Sequence, residues 1–222
     1  MENKEILELI TERKMIAIIR KVYGEMLMDL AAALYDGGIR LMELTFDQKD
    51  DDCIRHTGEM IARLSREYTG RMVIGGGTVL TKEQVDAVAS AGGRFIISPN
   101  TDRAVIEHTK ACGLVSIPGA MTPTEILAAH SYGADIVKVF PAGHLGLSYF
   151  KDLKGPISHV RLMATGGINE GNFRDFLDVG CVGAGISGRL SERSVLEAGN
   201  YAEISARARA FCAIARGENG AE

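Results

Sequence analysis

Cysteine is scarce in this sequence, and no two cysteines are spaced as metal ligands or redox pairs usually are. Four cysteines occur in 222 residues, with no Cys-x-x-Cys motif among them. Zinc ribbons and dithiol redox centres both depend on such closely spaced pairs, so neither kind of site is indicated. We therefore expect Cys53, Cys112, Cys181 and Cys212 to be reduced thiols in the core of a cytoplasmic protein.

Long apolar segments and an excess of positive charge are also missing. No stretch reaches the roughly 18 uncharged residues that a membrane-spanning helix requires. Residues 1–14 mix glutamate with leucine and isoleucine, which predicts an amphipathic helix and not a signal peptide. The formal net charge is −4, whereas nucleic-acid-binding proteins usually carry a basic surface. We expect a small-molecule partner, no nucleic acid and no membrane.

Two common signatures of cofactor and metal sites are absent from the sequence. The first predicted strand is followed by Arg20-Lys21-Val22-Tyr23, unlike the Gly-x-Gly-x-x-Gly turn of dinucleotide-binding proteins. The five histidines form no His-x-His or His-Glu-x-x-His pair, so no metal site is predicted. His144 lies close behind a predicted strand, and we interpret it as a loop residue.

What the sequence does contain is a regular alternation of short β-branched runs and helical segments. Glycine-rich helix ends such as Ala91-Gly92-Gly93 lead directly into the next run. Eight such units of about 20 to 30 residues predict a single (β/α)8 TIM barrel over residues 1–222, with the helix 1–14 in front and a frayed tail over 217–222. The predicted strands are Met15–Ile19, Leu41–Leu44, Met72–Ile74, Phe95–Ile97, Val115–Ile117, Ile136–Val139, Arg161–Ala164 and Cys181–Ala184.

Lys138 lies in the run 136–141, and the remaining residues of this run are all apolar. Burial disfavours the charged form of an amine, and a neutral lysine is a nucleophile that can form a Schiff base. Strand alternation would point Val137 and Val139 away from the barrel interior if Lys138 faces into it. The other interpretation is a lysine at a strand end whose stem packs while its head reaches water.

Several polar residues are predicted at the carboxyl ends of the strands, where the active site of a (β/α)8 barrel lies. A neutral lysine, a carboxylate, an arginine and hydroxyl groups there suit a keto-acid substrate, through imine formation, proton transfer and anion binding. Each also has an ordinary explanation, since Glu43, for example, could form a structural ion pair with Lys138. The set comprises Arg20, Glu43, Thr45, Thr78, Pro99, Lys138, Thr165 and Ser187.

Three glycine-rich segments, at 75–78, 165–169 and 183–188, follow or overlap predicted strands. Backbone without side chains can approach a ligand closely. The second and third segments lie at the seventh and eighth strands, where barrel enzymes often bind phosphate through free N–H groups. Simple turn geometry is the alternative explanation for glycine after a strand.

Six short motifs are spread over nearly the whole chain. They are Met42-Glu43-Leu44-Thr45, Gly75-Gly76-Gly77-Thr78-Val79-Leu80, Ile97-Ser98-Pro99-Asn100, Ile117-Pro118-Gly119, Val137-Lys138-Val139-Phe140-Pro141-Ala142 and Ala164-Thr165-Gly166-Gly167-Ile168. In order and spacing, these motifs resemble those of the 2-keto-3-deoxy-6-phosphogluconate (KDPG) and 4-hydroxy-2-oxoglutarate (KHG) aldolases. The resemblance implies a class I aldolase on a (β/α)8 barrel that needs no metal or other cofactor and forms a homotrimer.

The resemblance also implies a role for each of these positions. Lys138 would form the Schiff base with a 2-keto-3-deoxy sugar acid, and Glu43 would be the general acid/base. Cleavage of the C3–C4 bond would release glyceraldehyde 3-phosphate or glyoxylate first, and pyruvate second. The implied substrate contacts are Thr78 at the pyruvate carboxylate, Phe140 on the imine, Arg20 facing the substrate, and Thr165, Gly166, Gly167 and Ser187 at the phosphate end. From their strand-end positions, Thr45 and Pro99 are predicted to bind substrate as well.

Two positions depart from the family pattern. Many members carry an arginine two residues after the strand threonine, where it binds the substrate carboxylate, whereas this chain has Asp47. Either Asp47 points elsewhere and Arg20 or Lys49 binds the carboxylate, or the substrate differs from the family's best-known one. The alignment near the last strand is ambiguous by one residue, so either Ser187 or Gly188 would bind the phosphate.

Two other hypotheses stay open at this point. A phosphate-binding barrel isomerase or epimerase would use Lys138 only as a charge. A barrel without catalytic activity would bind a sugar acid, and Asp47 is the one hint of this. Borohydride in the presence of substrate would trap the imine of an aldolase but would not block an isomerase. Measuring pyruvate release would distinguish an aldolase from the non-catalytic barrel.

Overall fold

Helices and strands alternate along the computed structural model, which describes residues 1–218. The strands of this part are β1 (Met15–Ile19), β2 (Leu41–Thr45), β3 (Val73–Gly77), β4 (Phe95–Ile97), β5 (Val115–Ile117), β6 (Gly119–Ala120), β7 (Val137–Val139), β8 (Leu162–Thr165) and β9 (Gly183–Ile186). The helices are α1 (Asn3–Arg13), α2 (Gly24–Asp36), α3 (Cys53–Glu67), α4 (Lys82–Ser90), α5 (Arg103–Ala111), α6 (Pro123–Ser131), α7 (Ala142–Lys154), α8 (Phe173–Asp178), α9 (Arg193–Glu197) and α10 (Tyr201–Arg216).

All paired strands are parallel and follow the order β5-β4-β3-β2-β1-β9-β8-β7-β6. The two edge strands, β5 and β6, are separated in the chain only by Pro118, so they act as one interrupted strand. The Lys138 N–H donates to the Pro118 carbonyl at 2.9 Å, and the Asp135 N–H donates to the Ser116 carbonyl at 3.0 Å. These bonds close the sheet, which confirms the predicted (β/α)8 barrel.

The strand boundaries differ from the predicted ones mainly at glycine. β3 continues through Gly75, Gly76 and Gly77, where the sequence predicted a loop. A Cβ atom at Gly75 would overlap the Phe95 ring of the neighbouring strand. These positions of the strand are glycine because neighbouring side chains already fill the space that a larger residue would need.

Side-chain oxygens cap the N-terminal ends of several helices. Thr81, Asp102 and Thr122 accept hydrogen bonds from backbone N–H groups in the first turns of α4, α5 and α6. Such caps satisfy N–H groups that have no partner inside the helix. They end the loops that leave the carboxyl ends of β3, β4 and β6.

Two layers of apolar side chains form the core. The inner layer fills the barrel and includes Ile97 and Met163, while the outer layer lies between the sheet and the helices and includes Val137 and Val139. The prediction that these two valines face away from the barrel interior is confirmed. The N-terminal helix α1 closes the bottom of the inner layer with Ile6 and Ile10, both fully buried.

The last helix ends in a regular cap and not in a frayed segment. Gly217 has φ 76° and its N–H donates to Ile214, while the Glu218 N–H donates to the Ala213 carbonyl at 3.0 Å. The prediction of a frayed tail over 217–222 is therefore wrong for these two residues, because the left-handed glycine returns the chain to the free carbonyls. Residues 219–222 of that tail lie outside the described residues.

The cysteines are free thiols, but most are not core residues. Cys181 is buried, whereas Cys53, Cys112 and Cys212 are only partly buried. The expectation of four core thiols is correct for Cys181 alone, since the others are only partly buried and pack against the edge of the outer layer. Within residues 1–218, no helix combines the length and hydrophobicity needed to cross a membrane.

We predict that Ile10→Ala destabilises the barrel through its bottom closure. Ile10 is fully buried against the inner layer, so truncation should lower the free energy of unfolding by about 2–5 kcal/mol. Urea unfolding followed by circular dichroism measures this. Leu127→Ala, at a position 43% exposed, is the matched control, and equal losses in the two variants would show that α1 does not close the core.

Candidate active site

Lys138 occupies the middle of β7 and faces the barrel interior. Its register neighbours are Gly119 on β6 and Met163 on β8, and it is only 5% exposed. The Nζ atom lies 5.1 Å from the centre of the Phe140 ring. Burial lowers the pKa of the Lys138 amine, the charge of Glu43 opposes that shift, and Arg20 adds to it.

Glu43 is the buried carboxyl group of the same interior. It lies on β2, is 1% exposed, and its Oε2 atom has no hydrogen-bond partner among residues 1–218. Burial raises the pKa of Glu43 to about 7, against the opposing effects of Lys138 and Arg20. A carboxyl group with such a pKa can both give and accept a proton near neutral pH.

The amine and the carboxyl group do not form an ion pair. In the described part of the chain, no carboxylate oxygen lies within 4.0 Å of the Lys138 nitrogen. The ordinary explanation of Glu43 as a structural partner of Lys138 is therefore wrong. Both groups keep hydrogen-bonding capacity for a ligand in the barrel.

A cavity of about 170 Å³ opens at the carboxyl ends of β1, β8 and β9. Six of the eleven predicted site residues line it, together with Ile18, Ile168, Gly185 and Gly188. The predicted residues in its wall are Arg20, Phe140, Thr165, Gly166, Gly167 and Ser187.

The glycine loop after β8 can adopt its shape only without side chains. Gly166 and Gly167 have φ angles of 88° and 77°, a region that other residues rarely adopt. A Cβ atom at Gly166 would come within 3.1 Å of the Phe140 ring. The loop therefore packs against the ring that also lies over the Lys138 amine. The buried Thr165 hydroxyl has no hydrogen-bond partner within residues 1–218.

The other predicted residues lie outside the wall of this cavity, at neighbouring strand ends. Thr45 pairs in register with Gly77, where an added Cβ would overlap the Glu43 carboxyl group. The Pro99 backbone packs closely against Gly119, the register neighbour of Lys138. These contacts connect the ends of β2, β3 and β4 to the two buried ionisable groups.

Thr78 has a left-handed backbone, with φ 55°, which is rare for a β-branched residue. Two glutamines hold its loop. The Gln48 side-chain amide donates to the Thr78 carbonyl at 2.9 Å, the buried Gln84 donates to the Gln48 side-chain oxygen at 3.2 Å, and the Leu80 N–H donates to Gln84 at 2.7 Å. Strained backbone of this kind persists where the surroundings hold it in place.

Sequence reasoning missed this glutamine pair. A signal for Gln84 was present, since Thr81 and Gln84 have the spacing of a capping box. The Gln48 contact joins positions 48 and 78 of the chain, and no local pattern indicates it. His144, predicted to be a loop residue, instead lies exposed in the first turn of α7.

Asp47 is held by other groups of the protein and is not placed to bind a substrate carboxylate. Its carboxylate pairs with Lys21 at 2.9 Å and accepts the Lys49 N–H at 3.2 Å, and these contacts lower the pKa of Asp47. No carboxylate of residues 1–218 lies within 4.0 Å of the Arg20 guanidinium. Arg20 is therefore a free cation at the cavity. Ser187 and Gly188 both line the cavity, so the geometry admits either as an anion ligand.

Comparison with known proteins agrees with this arrangement. The family model described as KDPG and KHG aldolase matches residues 6–207. A probable 2-dehydro-3-deoxy-6-phosphogalactonate aldolase of Rhizobium meliloti is 35% identical over 180 residues, which cover 81% of this chain and 82% of that protein. The KHG/KDPG aldolase of Escherichia coli is 32% identical over 198 residues, 87% of each protein.

A solved structure with bound pyruvate is also similar. It is a KDPG aldolase from Legionella pneumophila, with pyruvate captured at low pH as a covalent carbinolamine intermediate. The TM-score is 0.80 at 26% identity, over 92% of this chain and 97% of that one.

We predict that replacing Glu43 by glutamine changes how stability depends on pH. The pKa of Glu43 rises from 4.5 unfolded to about 7 folded, so the folded protein pays for ionising this group as the pH increases between these values. Above pH 7 that cost is roughly 3 kcal/mol. Glutamine cannot ionise, so the free energy of unfolding of Glu43→Gln relative to wild type should increase from pH 4.5 to pH 8.

Urea unfolding at a series of pH values measures the difference. Glu59→Gln, at an exposed position on α3, is the matched control and should track wild type. A wild-type protein that becomes more stable relative to Glu43→Gln as the pH rises would contradict the assignment.

Proposed function

The chain belongs to the KDPG and KHG aldolase family and is a class I aldolase, and we propose that Lys138 forms its Schiff base with a 2-keto-3-deoxy-6-phospho sugar acid. The single observation that supports this most is that the buried Lys138 amine pairs with no carboxylate of residues 1–218, while the buried Glu43 carboxyl group of the same interior keeps an oxygen without a hydrogen-bond partner in that part of the chain. Among residues 1–218, no other lysine is classed as buried.

Burial of Lys138 favours the neutral amine, which is the nucleophilic form. An ordinary lysine, with a pKa near 10.4, is less than about one part in a thousand neutral at pH 7. Desolvation in the barrel lowers the pKa of Lys138 and increases the neutral fraction. The amine attacks the C2 carbonyl to form a carbinolamine, which loses water to give the protonated imine.

Glu43 moves the protons of the following steps. Its carboxylate accepts the C4 hydroxyl proton, directly or through a water molecule, as the C3–C4 bond breaks. The electron pair of that bond flows into the imine, the aldehyde leaves, and an enamine remains. Protonation at C3 and hydrolysis then release pyruvate and restore the amine. A pKa of about 7 suits a group that alternates between acid and base.

The cavity at β8 and β9 supports a phosphorylated substrate. Arg20 contributes a free cation there, and the Gly166 and Gly167 loop brings backbone close to a ligand without side chains. Ser187 adds a hydroxyl group, and Thr165 adds a buried one that has no hydrogen-bond partner among residues 1–218. These groups suit the phosphate end of the substrate, while the strained loop at Thr78 suits the pyruvate carboxylate.

Family membership decides against an isomerase and against a barrel without catalytic activity. Among the relatives, some are named for the phosphogalactonate acid and others for the phosphogluconate acid. The two acids differ at C4, so comparing turnover of the two epimers shows which one this enzyme prefers. The homotrimer and the cytoplasmic location stay predictions of the resemblance and the composition.

We predict that pyruvate and borohydride together attach a stable carboxyethyl group to Lys138. Reduction of the imine converts it into a secondary amine that cannot hydrolyse, so mass spectrometry of the digested protein locates it. Lys138→Ala should form no adduct and release no pyruvate. Lys151→Ala, at an exposed position on α7, is the matched control and should behave as wild type. An adduct that persists in Lys138→Ala would contradict the proposed function.

We predict that Arg20→Gln weakens binding of phosphorylated substrates specifically. Loss of a charge-assisted hydrogen bond costs about 1.5–3 kcal/mol, so KM for the phosphorylated acid should rise roughly 10- to 150-fold. KM for 4-hydroxy-2-oxoglutarate, which lacks the phosphate, should change little. Arg55→Gln, at an exposed position on α3, serves as control. Equal increases for both substrates would instead assign Arg20 to the carboxylate.

A further inference from the structure

A cluster of three potential metal ligands lies on the outer surface of the barrel, between α4 and α5. Asp86 belongs to α4, His108 lies in the last turn of α5, and Cys112 is the residue that ends α5. Each offers one ligand atom, and the three atoms lie within 4.8 Å of one another. In residues 1–218, this is the one group of at least three such side chains.

The distances resemble those between ligands of one tetrahedral zinc ion. The Cys112 sulfur lies 3.7 Å from His108 Nε2 and 3.7 Å from Asp86 Oδ1. Zn–S bonds near 2.3 Å and Zn–N bonds near 2.0–2.1 Å place two tetrahedral ligands about 3.6 Å apart. The third distance, 2.7 Å between His108 Nε2 and Asp86 Oδ1, is a hydrogen bond that a metal ion would open to about 3.4 Å.

Opening that distance requires only the movement of an exposed side chain. The Asp86 side chain is 58% exposed and the His108 side chain 28% exposed, so Asp86 can rotate without disturbing the core. His108 and Cys112 are four residues apart, which puts them on the same face of α5. The two stronger ligands are therefore held in place by one helix.

The local electrostatics favour a cation. The C-terminal end of a helix carries a partial negative charge, and two of the three ligands lie at that end of α5. Lys110, the cation of the same turn, is already paired with Asp135 at 2.6 Å. The Cys112 thiol donates to Asp86 Oδ1 at 3.7 Å, and a metal ion bound between the two groups would take the place of that proton.

We propose that Asp86, His108 and Cys112 bind one Zn²⁺ ion, which links α4 to α5 outside the catalytic barrel. Thiolate and imidazole ligands select zinc over the hard cations Mg²⁺ and Ca²⁺, which prefer oxygen. Three protein ligands leave a fourth position for water. The site is independent of the proposed aldolase chemistry.

The test uses the full chain, first treated with a chelator and a reductant and then freed of both. Calorimetric titration with ZnCl₂ should give one ion per chain, and MgCl₂ should give no heat of binding. CoCl₂ should produce the near-ultraviolet thiolate-to-cobalt absorption together with the visible bands of tetrahedral cobalt. At about one hundred times Kd, zinc should raise Tm by roughly 5–10 °C.

Cys112→Ser and His108→Gln should each weaken zinc binding by more than about tenfold, and Cys112→Ser should abolish the thiolate band. Cys212→Ser, which removes another partly buried thiol, is the matched control and should keep both. Circular dichroism and formation of the pyruvate adduct show that each variant is folded.

Less than one zinc per chain, a cobalt spectrum without the thiolate band, or equal zinc affinity in wild type and Cys112→Ser would each overturn the proposal. Equal loss in Cys212→Ser would also overturn it, because binding would then be a general property of the thiols.

Discussion

The burial of one amine and one carboxyl group inside a closed barrel, without an ion pair between them, is the constraint on which the rest of the site depends. Both groups are buried, so the pKa of Lys138 falls and that of Glu43 rises to about 7. A direct ion pair would restore the charged forms and reduce the reactivity of both groups. The strands therefore keep the two groups in the same interior but apart.

Small residues next to these two groups make the arrangement possible. Gly77 leaves space for the Glu43 carboxyl group, and Gly166 leaves space for the Phe140 ring that lies over the Lys138 amine. A side chain at either glycine would displace the Glu43 carboxyl group or the Phe140 ring. The bottom of the barrel is closed by apolar contacts of α1, which keeps the opening at the other end.

Much of this could be predicted from local sequence. The alternation of strand and helix patterns predicted the barrel, and an isolated lysine in an apolar run indicated Lys138 as a candidate reactive group. The split of the fifth strand at Pro118 and the extension of β3 through its glycines were not predicted. Both depend on neighbouring strands, because glycine in a sequence indicates a loop as readily as a strand filled by other side chains.

Local sequence patterns do not predict where the polar groups lie relative to one another. The sequence by itself determined the fold class, the strand that carries Lys138 and the strand that carries Glu43, because periodicity and residue type are local properties. Only the tertiary structure decided that Asp47 pairs with Lys21, that Gln48 and Gln84 hold the loop at Thr78, and that Arg20 stays free at the cavity. Those contacts join residues far apart in the chain, so they exist only once the barrel has closed.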